Sequence, residues 1–153
     1  MDVHKYTPLL HFSGGNLELG SYWLFKEEPS HYSWEDLVKD GETEWNGVRN
    51  NLALKHLSHI KSGDHIFFYH TGNEKCVVGI MVAVGDAAHV ESNGGEVGIV
   101  VKVRPVRKLP KPVSLAQIKA DKRFSAFELV RIPRLSVMPV RKELWDAILD
   151  LGG

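Results

Sequence analysis

Two long β-forming runs, CVVGIMVAVG at 76–85 and GEVGIVVKVRPVRKL at 95–109, follow one another with no amphipathic helix between them. Parallel neighbours need a crossover, usually a helix, whereas antiparallel neighbours need only a turn. HIFFYH at 65–70, closed by the turn TGNE, extends the series. Such consecutive strands argue against a doubly wound parallel sheet and for a small, strongly curved β-barrel or mixed sheet. Gly79 inside the first run marks a bulge or a close approach, which would let a ligand reach the strand backbone. Pro105 marks a bend or an edge in the second run.

Helices complete an α+β pattern around these strands. SYWLFKEEP at 21–29 favours a strand through Tyr22, Trp23, Leu24 and Phe25, limited by Pro29. Ser33 then precedes WEDLVKD with Asp36 three residues on, a helix start that runs to Gly41. NLALKHLSHI at 51–60 places Leu52, Leu54, Leu57 and Ile60 at mostly helical spacing, and KSGD stops it. SLAQIKAD begins a short helix at Ser114, RLSVMPV at 134–140 returns to strand, and RKELWDAILDLGG at 141–153 is a helix with glycines after its last turn. Residues 1–20 have weak periodicity and a Ser-Gly-Gly-Asn break, so they are expected to form a loose extension. Residues 21–153 are then one domain, with helices flanking the barrel and a monomer expected.

The chain is 153 residues with 43% hydrophobic content, enough for one real core. No apolar run approaches the roughly 20 residues that span a bilayer. Cys76 is the single cysteine, which excludes an intrachain disulfide and suits a reducing compartment. With no basic leader followed by an apolar run, the expected location is the cytoplasm, or the nucleus of a eukaryote.

Several chemistries find no support. The phosphate-loop, dinucleotide, nucleophile-elbow and Cys-x-x-Cys motifs are missing, so no cofactor is expected. His56 and His59 lie three apart on a helix, a metal-compatible spacing. Leu57 and Ile60 share that helix, however, and His65 and His70 sit on opposite faces of a strand, so no metal site is expected.

TEWNGVRN at 43–50 is harder to explain as either core or loop, because a ring, a cation and two amides fall within a short segment. A pocket for a flat polar ring uses all three. Trp45 offers a face for stacking, Asn50 can donate and accept at once, and Arg49 can hold a phosphate or carbonyl. The alternatives are a core anchor for Trp45, a helix cap for Asn50 and a surface ion pair for Arg49. Charge is also segregated. Residues 102–142 hold twelve Lys/Arg against two acids, while 1–101 hold seven against fourteen. Lys102, Arg104, Arg107, Lys108 and Lys111 are therefore candidate phosphate contacts, unless acids from the other half interleave with them.

YWLFKEEP, WNGVRN followed by a helix and SGD, FFYHTG followed by VVGI, and RLSVMPV occur in an order that resembles the EVE domain family over about residues 21–150. The resemblance implies a PUA-like barrel and a reader of a modified base in DNA or RNA, rather than an enzyme. It implies a base pocket of Lys26, Glu27, Glu28, Pro29, Trp45, Val48, Arg49, Asn50, Tyr69, His70 and Thr71, with Arg134 and Ser136 as additions, and Gly79 joins the candidate site as the close approach read above. Two departures stand out. The family's Lys-Ser-Glu-Pro is here Lys26-Glu27-Glu28-Pro29, and a long insertion before the basic strand has shrunk to DAAHVESNGGE. Two rival readings are a hydrolase of modified nucleosides using Lys26 with Glu27 and Glu28, and a protein-interaction module.

Overall fold

The computed structural model describes residues 21–91, 95 and 97–153. The loose extension expected at 1–20 lies outside them. Among the described residues seven strands form one connected system, β1 (Tyr22–Glu27), β2 (Thr43–Trp45), β3 (His65–His70), β4 (Cys76–Ala83), β5 (Ala88–Glu91), β6 (Val97–Ser114) and β7 (Val137–Pro139). The order is β2-β6-β4-β3-β1-β7, with β5 paired to β6 beside this path. Every pairing is antiparallel except β1 with β3. The helices are α1 (Trp34–Asp40), α2 (Asn51–Ser58), α3 (Leu115–Lys119), α4 (Glu128–Arg131) and α5 (Lys142–Gly152), with a 3-10 turn at Lys122–Phe124.

The sheet is curled. Trp45 on β2 lies four places from β1 in strand order, yet its ring centroid is 5.1 Å from that of Phe25. Helix α2 touches both β6 and β7, so it spans the opening the curl leaves. The expected barrel is therefore a mixed half-barrel, closed by side chains and a helix. The curl needs local irregularity, which the register shifts at Val77/Gly79 and Ile80/Met81 against β6 supply. Pro105 falls at the second shift, opposite Met81 and just past the Val101–Val103 stretch that pairs with β2. There its missing N–H costs little.

Local signals set the helix ends. Ser33 and Asp36 form a reciprocal capping box on α1, which stops at Gly41 in a left-handed conformation (φ +79°). Ser114 and Gln117 do the same for α3. Three elements lacked a legible sequence pattern, namely β2, β5 and α4, each of three or four residues.

The turn between α2 and β3 is fixed by a buried carboxylate. Asp64 Oδ2 accepts from Trp23 Nε1 at 2.9 Å and from the Lys61 N–H at 3.0 Å. The Asp64 carbonyl accepts from Ala83 N, so one residue links β1, the turn and β4. Burial pushes this carboxyl above its ordinary value of 3.8, against the pull of its two donors. A raised folded-state pKa means that the folded chain holds the proton longer, so this term stabilises in acid and is lost as pH rises. Asp64→Asn keeps an oxygen for both donors and removes the charge. Its stability relative to wild type should therefore improve as pH climbs from 3.8 towards neutrality. Asp64→Ala removes the same carboxyl and also strands the Trp23 N–H, so it should be less stable than Asp64→Asn by about 1–3 kcal/mol at any pH. Urea unfolding at several pH values reads both, and a pH-independent Asn effect would refute the assignment.

Candidate nucleic-acid interface

Alternation along β1 and β3 sorts the candidate residues onto two faces. The parallel register pairs Phe25 with Phe68, Lys26 with Tyr69 and Glu27 with His70. Phe25 and Phe68 turn inward to Trp45, so Glu27 and His70 share the inner face. Lys26 and Tyr69 lie on the outer face, with Lys26 Nζ 5.7 Å from the Tyr69 ring centroid. Tyr22 and Phe67 lie further back on that face, where Trp145 of α5 covers them at 4.6 and 3.7 Å between ring centroids.

The inner face is an aromatic core. Trp45 is only 6% exposed, and its ring meets Phe25 at a tilt and Phe68 edge-on at 5.4 Å. Of the two readings of Trp45, the core anchor describes its position. Gly79 does make a close approach, but to the chain itself. A Cβ there would lie 2.5 Å from the Trp34 ring, so tryptophan fills the space expected for a ligand. His70 is likewise occupied. Its Nε2 accepts from the Trp34 N–H at 3.0 Å, which leaves the proton on Nδ1 to donate to Glu74 Oε1 at 2.8 Å.

At the rim of this face lies Glu27, half-buried. Burial raises its carboxyl pKa, opposed by the Glu28 backbone N–H and by His31, whose Nδ1 is 3.8 Å away. Glu28 serves a turn instead. It accepts from Ser30 Oγ at 3.2 Å and from Thr71 Oγ1 at 3.5 Å, and a Cβ on Gly72 would strike it. Pro29 begins that turn, half-buried. Asn50 caps α2, its Oδ1 accepting from the Ala53 N–H at 2.9 Å, and its NH₂ remains to meet a partner. Val48 packs half-buried against the core, and Arg49 is exposed with no ion pair among the described residues. Arg134 is exposed, and Ser136 contributes its carbonyl, which accepts from the Lys26 N–H at 2.9 Å.

Charge segregation along the chain is partly undone in space. Lys102 pairs with Glu42 at 3.6 Å and Lys108 with Glu35 at 3.2 Å. Such exposed pairs contribute about 0.2–1 kcal/mol each, so a phosphate displaces them readily. Arg104 also has a partner within the protein. Arg107 and Lys111 are exposed with no ion pair among the described residues.

On the outer face, where α5 ends its cover, a cleft of about 190 Å³ opens. Lys26, Tyr69 and Thr71 line it together with Gly72, Lys75, Leu115, Lys119, Leu129 and Pro133. Lys75, Lys119, Leu115 and Leu129 escaped the sequence reading because no local pattern links positions so far apart. Among the described residues, no group of His, Cys, Asp or Glu is arranged to hold a metal ion, and no helix is long and apolar enough to cross a membrane.

A curled barrel of this topology, with a short parallel pair and helices at its openings, is the PUA-like fold. The EVE domain model matches residues 21–151, and the chain belongs to that family. It is 29% identical to thymocyte nuclear protein 1 of Mus musculus over 174 residues, covering 92% of this chain and 77% of that one. A crystal structure of a protein from Agrobacterium tumefaciens is 36% identical, with a TM-score of 0.83 over 88% of this chain and 94% of that one. Human THYN1 protein, solved in complex with 5-methylcytosine-containing DNA, is 27% identical. Its TM-score is 0.80, covering 87% of this chain and 98% of that one.

Truncation separates anchoring from capping. Trp45→Ala should lose about 3–5 kcal/mol of folding stability, as expected for a core aromatic. Asn50→Ala, which removes only a cap, should lose about 0.5–2 kcal/mol. Chemical denaturation measures both, and a Trp45→Ala protein as stable as wild type would take the ring out of the core.

Proposed function

We propose that this chain is a reader of a modified base in nucleic acid, with DNA carrying 5-methylcytosine as the first candidate. The observation that carries the reading is membership of the EVE family together with overall likeness to human THYN1 protein, solved with such DNA. The chemistry of the barrel rim supports it. Glu27 is an acceptor, and Asn50, its oxygen already committed to the cap, is a donor. Cytosine presents an N4 amino donor beside ring acceptors, and adenine a comparable edge, whereas thymine presents a carbonyl where cytosine has its amine. A carboxylate at 27 therefore favours an amino base and opposes thymine or uracil. The half-buried Val48 offers apolar surface to a 5-methyl group. Lys26 and Tyr69, on the outer face, are too far round the strand to join this edge reading. Arg49, Arg107 and Lys111 are the cations that supply backbone attraction, which is salt-dependent and blind to sequence.

The test is fluorescence anisotropy at fixed salt with single strands differing at one base, cytosine, 5-methylcytosine, adenine or thymine. Wild type should bind 5-methylcytosine at least about tenfold tighter than thymine, a gap of roughly 1.4 kcal/mol. Glu27→Gln, whose amide donates as well as accepts, should shrink the gap between 5-methylcytosine and thymine while leaving folding intact. Equal affinity for all four strands in wild type would defeat the reader proposal. An unchanged preference in Glu27→Gln would remove Glu27 from the reading edge.

A further inference from the structure

The cleft on the outer face holds three lysines, Lys26, Lys75 and Lys119, and its other lining groups are neutral. None of the three makes an ion pair within 4 Å among the described residues. Lys26 is the most enclosed. Its Nζ donates to the Pro133 carbonyl at 2.7 Å and lies over the Tyr69 ring, and burial lowers its pKa. Lys75 and Lys119 are exposed at the edges of the cleft. Lys75 is the single non-glycine residue with positive φ (+46°) among those described, and its carbonyl accepts from Leu115 N at 2.8 Å. That bond ties the lysine, in a conformation which L side chains rarely adopt, to the start of α3. Glu28, which lies beside Thr71 and Gly72, is already engaged with Ser30 and Thr71, and Glu74 with His70. Gathering three cations around an apolar floor of Tyr69, Leu115 and Leu129 costs mutual repulsion that an anion relieves.

We propose that this cleft is a phosphate-binding site separate from the base-reading rim, taking the phosphate end of a nucleotide. The size limits the occupant. A cleft of about 190 Å³ is smaller than the roughly 300–1,000 Å³ of pockets that enclose a whole ligand. It accommodates a phosphate and part of the attached sugar, with the remainder projecting outward. Lys75 and Lys119 clamp the oxygens from two sides, Lys26 contributes from below, and the Thr71 hydroxyl, only loosely held by Glu28 at 3.5 Å, is free to turn and donate. The phosphate has two sources, a free mononucleotide or the backbone of a bound strand. The site stands on its own geometry and does not require the base-reading proposal.

The experiment is a titration of ¹⁵N-labelled full-length protein, followed through backbone amide shifts. The probes are inorganic phosphate, cytidine, cytidine 5′-monophosphate and a short single strand. The Thr71, Gly72, Lys75 and Leu115 amides should move with phosphate and with the monophosphate but not with cytidine. The double variant Lys75→Gln/Lys119→Gln should weaken the monophosphate by about tenfold or more. Its thermal midpoint should match wild type, since both side chains are exposed and unpaired. Lys39→Gln/Lys61→Gln, exposed and outside the cleft lining, should leave monophosphate affinity unchanged. Movement of the cleft amides by the strand alone, lost in the double variant, identifies backbone phosphate as the source and supports the site. Equal response to cytidine and its monophosphate, full affinity in the double variant, or no cleft response to any probe overturns it. Loss of base preference in Glu27→Gln with the cleft titration intact would touch only the rim.

Discussion

The Trp45 ring between Phe25 and Phe68 is the contact on which the rest of the molecule depends. It joins an edge strand to strands well across the sheet and so converts a twisted ribbon into a half-barrel. Aromatic pairs of this kind contribute about 0.5–1.5 kcal/mol each beyond the area they bury. Here they also set shape, because the curl brings the 45–50 segment to the end of β1. Trp34 continues the same stack by lying on Gly79, meeting Phe68 edge-on at 5.9 Å and donating its backbone N–H to His70. The inner face is thus filled by the protein's own rings, and what remains for a partner is its rim.

Most of the architecture could be read from the sequence because its signals are local. The Ser33–Asp36 box, the stop at Gly41, the cap on α3 and the glycines closing α5 each fix an element within a few residues. Element β2 escaped because three residues give no period to detect, and its pairing with Val101–Val103 is a long-range fact. Gly79 was legible as a close approach, yet nothing local could say that Trp34 is the neighbour. The family resemblance gathered Lys26, Glu27, Tyr69 and His70 into one pocket, whereas strand alternation divides them between two faces. Asn50 illustrates the limit differently. Its side chain caps α2, and the cap leaves its NH₂ open for the proposed reading, a double use that no local pattern reveals.

The two faces of β1 and β3 suit different work for a physical reason. In the proposed reading, the half-buried carboxylate and the amide donor of the inner side discriminate between hydrogen-bonding edges, where a wrong partner leaves a group unsatisfied. Outward, flexible ammonium groups around an apolar floor attract charge with little demand on geometry. Glu27 leaves the strand on the side opposite Lys26, the residue before it, and the two form no ion pair among the described residues. A salt bridge between them would silence both.

The parallel pairing of β1 with β3 bears on the order in which the molecule assembles. β3 and β4 meet through a short hairpin, a contact that forms early because little chain entropy is spent closing it. β1 can dock on β3 only after α1, β2 and α2 have been threaded between them, a high-contact-order step of the kind that slows folding. Lys26 and Glu27 sit at the last register positions of that late pair, beside Tyr69 and His70. The two faces that carry the proposed sites therefore come into being in one step, and a chain halted before it carries neither.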